Sequence, residues 1–84
     1  GDEGGGLWVG REGLRAALRA RDGRGEATAL EVLAARRYEG LEDLGARIHG
    51  ASRPVDAIAR FAPDVLTAAR AGDPVADMIV AQAT

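Results

Sequence analysis

A chain of 84 residues forms one domain at most, and a domain of this size buries only about 60% of the surface of its unfolded chain. Its formal net charge of −2 argues against a nucleic-acid-binding protein, which normally carries a basic face. Because there is no cysteine and no apolar run of about 18 residues, disulfides, cysteine-ligated metals and a membrane span are not expected. We expect a cytoplasmic location, with neither nucleic acid nor membrane as a partner.

The chain begins with an acidic, glycine-rich stretch at residues 1–6, in which Asp2 and Glu3 lie between glycines. Glycine lets the backbone approach a ligand closely, and carboxylates accept hydrogen bonds from hydroxyls. The stretch is therefore suited to hold a polyol, although glycine-rich termini are also often disordered. Trp8 follows directly, and it either stacks on a sugar ring or anchors the next helix in the core.

Apolar residues at helical spacing predict a first helix over residues 7–22. The leucines expected on its inner face are Leu7, Leu14 and Leu18. Arg15 and Arg19 belong to its outer, solvated side. Gly10 and Gly13 lie within this helix, and each costs about 1 kcal/mol of helix stability relative to alanine. These glycines are either tolerated or permit the close approach of another backbone.

A glycine-rich, charged turn at residues 21–25 separates this helix from a second one, predicted over residues 28–39. Thr28 and Glu31 have the spacing of a capping box, in which each side chain satisfies an unpaired backbone N–H of the first turn. Gly40 ends the second helix.

A third, shorter helix is predicted over residues 41–49 and ends at Gly50. Asp43 and Arg47 are spaced i,i+4, and we expect them to form an ion pair on its outer face. His49 is the only histidine and lies at the C-terminal end, where a cationic ring is favourable, so its expected role is structural.

Prolines mark the last helices. Pro63 interrupts the helical pattern of residues 54–71, which predicts either one kinked helix or two helices. Asp73 is a suitable N-cap and Pro74 a suitable first residue for a helix over residues 74–84. The apolar residues expected to face inward here include Val55, Ile58, Phe61, Val65, Leu66, Val75, Met78 and Ile79.

The predicted fold is all-α, a compact bundle of about five helices, because no segment shows the sustained alternation of a strand and the loops are short. The chain contains no zinc-protease motif, EF-hand or Walker loop, and no lysine to serve such a loop. We therefore predict no catalytic residue, no cofactor-binding residue and no metal site within these 84 residues.

Four segments resemble one family in order along the chain. Residues 1–15 resemble the GDEGSGYWIGREALR stretch of BadF/BadG-type ATPases and N-acetylglucosamine kinases, which belong to the actin-like ATPase superfamily. Residues 21–30 resemble the DGRGPPTAL of that family. Residues 58–63 and 68–76 resemble its IAALAP and AAEAGDPVA segments. One departure is Gly5, which stands where the family usually has serine.

The resemblance implies a helical subdomain excised from the second lobe of an α/β kinase or ATPase. In the sugar kinases, the aspartate of this loop contacts amino-sugar hydroxyls. The substrate-binding residues implied here are Asp2 and, more weakly, Glu3, in a loop shaped by Gly1, Gly4 and Gly5. The phosphate-binding hairpins and catalytic aspartate of those kinases lie in other parts of their chains. ATP and Mg²⁺ are therefore expected in the parent protein and not in this piece.

Two functions remain open from the sequence. The first is a part of an ATP-dependent kinase for N-acetylglucosamine, or of an ATPase that activates a dehydratase or reductase, inactive by itself. Its partners would be the remainder of the parent lobe and the amino sugar. The alternative is a stand-alone helical interaction or dimerisation module, which would associate through an exposed apolar face. Residue 1 is not methionine and no helix stop signal precedes residue 84, so we expect a piece of a longer protein.

Overall fold

The computed structural model of the protein describes residues 5–83, which form six helices and no strand. The helices are α1 (Gly6–Arg21), α2 (Leu30–Arg37), α3 (Leu44–His49), α4 (Pro54–Ala59), α5 (Ala62–Arg70) and α6 (Pro74–Ala83). The predicted all-α bundle is thus confirmed. The number exceeds five because residues 54–71 form two helices rather than one kinked helix. None of the helices within residues 5–83 is both long and apolar enough to cross a lipid bilayer.

The break between α4 and α5 is caused by Pro63, which lies in the first turn of α5. Proline has no N–H to donate to the carbonyl of Ala59, four residues earlier, so the ladder of helical hydrogen bonds cannot continue. The carbonyl of Phe61 accepts new bonds from the N–H groups of Asp64 (3.0 Å) and Val65 (3.2 Å), which start α5.

The central helix is α1, which packs against α2, α4, α5 and α6. Its buried residues are Val9, Gly10, Gly13, Leu14 and Ala17. The inner face therefore differs from the predicted one, because Leu7 and Leu18 are only partly buried. The smallest residues of the helix, rather than its leucines, lie at the centre of the contact.

Gly10 and Gly13 allow α4 and α5 to come close to α1. A Cβ atom at Gly10 would overlap the carbonyl oxygen of Ile58, and one at Gly13 would overlap Cγ2 of Val65 and lie 3.0 Å from Cε2 of Phe61. Of the two interpretations left open by the sequence, close approach is therefore correct. The neighbour is a backbone carbonyl at Gly10 and a pair of side chains at Gly13.

The core beneath α1 is built around Phe61, Leu30 and Val65, the largest fully buried side chains. The other buried apolar residues are Val9, Leu14, Ala17, Ala34, Leu41, Leu44, Ala68, Ala76 and Ile79. Every helix except α4 contributes to this cluster, and α4 adds the partly buried Ile58.

Tyr38 closes one side of the core. Its ring is tilted by 53° against that of Phe61, with centroids 6.0 Å apart, and its hydroxyl donates a hydrogen bond of 2.6 Å to the carbonyl of Ala57. Burial raises the pKa of the Tyr38 hydroxyl, while the nearby charges of Arg60 and Arg37 oppose that shift. The half-buried phenol therefore stays protonated and continues to donate.

Three residues predicted to face inward are instead exposed: Val55 (57%), Leu66 (38%) and Met78 (63%). In α6, Ala76 and Ile79 are the residues that reach the core. Met78 is rotated about 100° from Ile79 around the helix and so points away from that contact. The sequence indicated the apolar character of these helices but not the orientation of each face.

One carboxylate, that of Asp73, joins the starts of α2 and α6. Its Oδ2 accepts hydrogen bonds from Thr28 Oγ1 (2.6 Å) and from the N–H of Ala76 (3.0 Å), and its Oδ1 accepts one from the N–H of Ala29 (2.8 Å). The predicted N-cap of α6 is therefore present, and it also holds the start of a helix 45 residues earlier.

The capping box predicted at the start of α2 is not formed. The hydroxyl of Thr28 accepts from the N–H of Leu30 (3.1 Å), whereas the N–H of Glu31 is bonded to the carbonyl of Thr28 (3.3 Å). The Thr28 hydroxyl donates a hydrogen bond to the carboxylate of Asp73, which lies 45 residues later in the chain. This carboxylate therefore takes part in capping α2.

The Asp43–Arg47 ion pair predicted in α3 is also absent. Asp43 precedes α3 with a left-handed backbone (φ 54°). Arg47 instead donates to the carbonyls of Tyr38 (2.8 Å), Gly40 (2.6 Å) and Glu42 (3.1 Å). The loop between α2 and α3 turns these oxygens toward one guanidinium, which satisfies groups that a short helix end leaves unpaired.

Substituting Gly10 or Gly13 with alanine should destabilise the fold by about 1–3 kcal/mol each, because the added methyl group overlaps atoms of α4 or α5. Gly45→Ala in α3 is the matched control. A Cβ there meets no atom within 4 Å, so this change should stabilise the chain by about 0.5–1 kcal/mol. Urea unfolding followed by circular dichroism measures the three values, and equal effects at all three positions would contradict the close packing.

Substituting Asp73 with alanine should cost about 1–3 kcal/mol, because it removes the cap of α6 and leaves the Thr28 and Ala29 donors unpaired. Asp56→Ala, which removes only an exposed ion pair with Arg53 (3.5 Å), should cost less than about 1 kcal/mol.

The effect of Asp73→Ala should also depend on pH. Partial burial by itself would raise the pKa of Asp73, but hydrogen bonds from Thr28, Ala29, Ala76 and Val75 outweigh it and leave the pKa below its usual value. A lowered folded-state pKa means that the stabilisation is complete above the unfolded pKa of about 3.9 and is lost as pH falls through the folded pKa. The difference in unfolding free energy between the wild type and Asp73→Ala should therefore be constant near neutral pH and shrink toward zero in acid. A difference that grows with acidity would refute this.

Candidate functional site

The predicted substrate-binding residues lie at the start of the chain. Those outside the described residues are Gly1, Asp2, Glu3 and Gly4. The fifth, Gly5, directly precedes α1 with an extended backbone (φ −82°, ψ 164°), and its carbonyl accepts a hydrogen bond from the N–H of Val9 (3.1 Å). Gly5 thus acts as the N-cap residue of α1 and does not need the left-handed conformation that favours glycine.

The N-terminal turn of α1 is electrostatically suited to an anionic or hydroxyl-bearing neighbour. Within residues 5–83, no side chain caps this turn and it contains no acidic residue. The unpaired N–H groups of a first helical turn carry a partial positive charge. A serine at position 5, as the resembled family has, would supply a capping hydroxyl. Gly5 supplies no such hydroxyl.

The start of α1 rests on a fixed support. Trp8 is half-buried and packs against the hydrophobic core, which agrees with its interpretation as an anchor. Gly6 lies close to α5, since a Cβ atom built on it would be 3.8 Å from that of Ala62. The residues that follow the acidic stretch are therefore held by contacts to the body of the bundle.

Arginines at the ends of α1 and α2, and in the turn after α1, are paired with carboxylates. Asp22 accepts hydrogen bonds from Arg21 Nε and Arg24 Nη2, both at 3.2 Å, and the bond from Arg21 contributes most to holding the Asp22 pKa below its usual value. Arg37 donates two hydrogen bonds, of 2.8 and 3.3 Å, to the carboxylate of Asp64. This carboxylate raises the pKa of Arg37. The contacts of Asp22 stay within one turn, whereas the Arg37–Asp64 pair joins α2 to α5 and lines a shallow surface pocket together with Leu33 and Arg36.

Side chains suited to metal binding are not clustered in the described part of the chain. His49 is exposed at the C-terminal end of α3. Among the described residues, there is no cluster of three or more histidine, aspartate and glutamate side chains that could hold a metal ion.

A groove of about 310 Å³ runs between α1 and α6. Its apolar lining includes Ala16, Val75 and Ile79, and the charged Arg15 and Arg19 of α1 line it as well. The sequence placed these arginines on a solvated face and gave no sign of the groove, because the pairing of α1 with α6 joins segments about 60 residues apart. A shared groove of this kind becomes visible only when both helices are in place.

Comparisons of the chain with protein-family models, with curated proteins and with solved structures find no match. Functional inference therefore depends on the residues themselves and on the geometry described above.

Proposed function

We propose that the chain is the acceptor-binding helical segment of an ATP-dependent sugar kinase, or of a related ATPase, of the N-acetylglucosamine kinase and BadF type. The main supporting observation is that the acidic glycine stretch leads through Gly5 into α1, the helix that packs against α2, α4, α5 and α6. A binding loop joined to a rigid helix can position its carboxylates reproducibly.

In this proposal, the ionised carboxylate of Asp2 accepts hydrogen bonds from hydroxyls of an amino sugar, and Glu3 offers a second acceptor. Charge-assisted hydrogen bonds are about twice as strong as neutral ones. The glycines around them, Gly1, Gly4 and Gly5, let the backbone approach the ring. A sugar without the recognised hydroxyl would leave the carboxylate unpaired, which is the physical basis of discrimination against it.

The fold gives the family resemblance additional support. Thr28 lies in the segment that resembles TAL and Asp73 in the segment that resembles AGDPVA, and the two side chains share a hydrogen bond of 2.6 Å. Two residues that resemble the family at distant positions thus have a common structural reason to be threonine and aspartate. That agreement favours a common fold for the resembling segments.

ATP and Mg²⁺ belong to other parts of the parent protein in this proposal. The described residues offer no cluster of metal-binding side chains, and the chain has no lysine to hold a phosphate. The parent enzyme would work in the cytoplasm, with the remainder of its lobe as the partner of this segment.

Sugar binding can be followed through Trp8, the only tryptophan and six residues from Asp2. Adding N-acetylglucosamine should change the Trp8 fluorescence of the 84-residue chain, with weak, millimolar affinity because half of the site is elsewhere. Asp2→Asn should reduce the affinity by at least about tenfold, because the charge-assisted hydrogen bond is lost.

Asp56→Asn is the matched control for this experiment, since it removes an exposed carboxylate on α4 that forms an ion pair with the exposed Arg53 at 3.5 Å. It should leave the sugar response unchanged. Equal responses of the wild type and Asp2→Asn would contradict the role of Asp2. No response of the wild type would favour the alternative of a helical interaction module.

The isolated chain should neither hydrolyse ATP nor form a sugar phosphate, because its sequence has no phosphate-binding loop motif and the resemblance assigns the catalytic aspartate to another part of the parent. Phosphorus NMR of the chain mixed with ATP, Mg²⁺ and N-acetylglucosamine measures both products. Appearance of a sugar phosphate above the enzyme-free control would contradict the assignment of catalysis to other parts of the parent.

A further inference from the structure

The chain between α2 and α3 has a strained backbone. Among the residues that the structure describes, the non-glycine residues with a positive φ are Glu39 (58°) and Asp43 (54°), and Gly40 between them has a φ of 99°. Aspartate tolerates this left-handed conformation. For glutamate it costs free energy, because the Cβ atom crowds the following carbonyl oxygen. A backbone of this kind persists only where other contacts hold it in place.

Two arginines supply such contacts. The guanidinium of Arg47, in α3, donates hydrogen bonds from all three of its nitrogens to backbone carbonyls, at 2.6–3.1 Å. Arg21, the last residue of α1, donates from Nη1 to the carbonyl of Leu41 (2.9 Å). The carbonyls bonded to Arg47 are those of Tyr38, Gly40 and Glu42. Four of the five carbonyls in residues 38–42 are thus bonded to a guanidinium group.

Helix α3 is too short to be stable by itself. It has six residues, whereas an isolated helix of fewer than about 12 residues is marginal in water. It packs mainly against α4, and its buried residue is Leu44, to which the preceding loop adds the buried Leu41. The ordered state of residues 39–50 therefore depends on a small apolar contact and on the bonds of the two arginines.

We propose that Arg47 holds residues 39–50, called here the α3 segment, in place, and that this segment opens as a local unit while the rest of the bundle stays folded. When the Arg47 bonds break, the strain at Glu39 is released, α3 unwinds, and Leu41 and Leu44 become exposed. Tyr38 stays in place, because its ring packs against Phe61 and its hydroxyl is bonded to the carbonyl of a residue in α4. Segments with few buried apolar contacts open at a lower free energy than the core of a protein.

This inference goes beyond the proposed function, because the α3 segment contains none of the proposed sugar-binding residues. It also makes Arg47 a residue with a specific conformational role. Lysine has the same charge as arginine but presents a single ammonium group, which cannot bond three separate carbonyls in the plane of a guanidinium. The role therefore depends on the shape of the side chain as well as on its charge.

Native-state hydrogen exchange, followed by NMR on the 84-residue chain, tests the proposal. The amides of Leu44 and Gly50, which donate to carbonyls within the segment at 3.1 and 3.0 Å, report its opening. The amide of Ala17, a fully buried residue of α1, reports global unfolding. Low concentrations of urea should accelerate exchange at Ala17 and leave exchange at Leu44 and Gly50 nearly unchanged, because local opening exposes little surface.

Substitutions separate local from global opening. Arg47→Ala should accelerate exchange at Leu44 and Gly50 by at least about tenfold, and Arg47→Lys should accelerate it nearly as much. Asp73→Ala should accelerate exchange at Ala17 but not in the α3 segment, because the bonds of Asp73 are intact whether the segment is closed or open.

Two further variants complete the set. Glu39→Gly should slow exchange in the α3 segment by about threefold, because glycine adopts a positive φ without crowding by a Cβ atom. The matched control is Arg53→Ala, which removes an exposed arginine whose ion pair with Asp56 lies outside the segment. It should leave exchange in the segment unchanged.

Segment amides that follow Ala17, both in urea and in Asp73→Ala, would show that α3 opens only with the whole bundle and would overturn the proposal. Wild-type exchange rates in Arg47→Ala, or faster exchange in Glu39→Gly, would overturn it as well. So would complete loss of helical circular dichroism in Arg47→Ala, because the segment would then not be a separate unit. None of these measurements involves sugar, so failure here is distinguishable from failure of the proposed function.

Discussion

The packing of the bundle depends on two positions in α1 that have no side chain. Gly10 lets the Ile58 carbonyl of α4 lie against the backbone of α1, and Gly13 makes room for Phe61 and Val65 at the start of α5. Each glycine costs about 1 kcal/mol of helix propensity relative to alanine. The cost is offset because the largest side chain of the core, Phe61, is fully buried directly below. With this contact in place, α1 can pack against α2, α4, α5 and α6 at once.

The proposed sugar-binding loop and the groove between α1 and α6 involve different parts of that central helix. The N-terminal turn of α1 follows the acidic glycine stretch, whereas Arg15 and Arg19 lie in its second half. In the proposed sugar-binding segment, Gly5 marks the end of α1 that leads to the acidic stretch.

The sequence predicted the helical class and several of the helix starts and breaks, because proline, glycine and capping residues act locally. The start of α6 at Pro74 follows from Asp73 and Pro74 alone, and the break at Pro63 follows from a missing N–H. The orientation of each helix about its own axis was less predictable, because the face that a helix buries depends on the helices packed against it. Met78 thus became exposed, and Thr28 found its partner 45 residues away. For the candidate site, local pattern indicated the acidic stretch, but the groove required the paired helices.

The hydrogen bonds of Asp73 have a consequence for how the molecule opens. Fraying of α6 at its first turn withdraws the acceptor of Thr28 and Ala29, so the beginning of α2 loses its cap in the same event. Two helices distant in sequence thereby belong to one cooperative unit, and their amide protons should exchange with deuterated solvent at matched rates. Fraying at the start of α6 therefore directly weakens the start of α2, which lies in the first half of the chain.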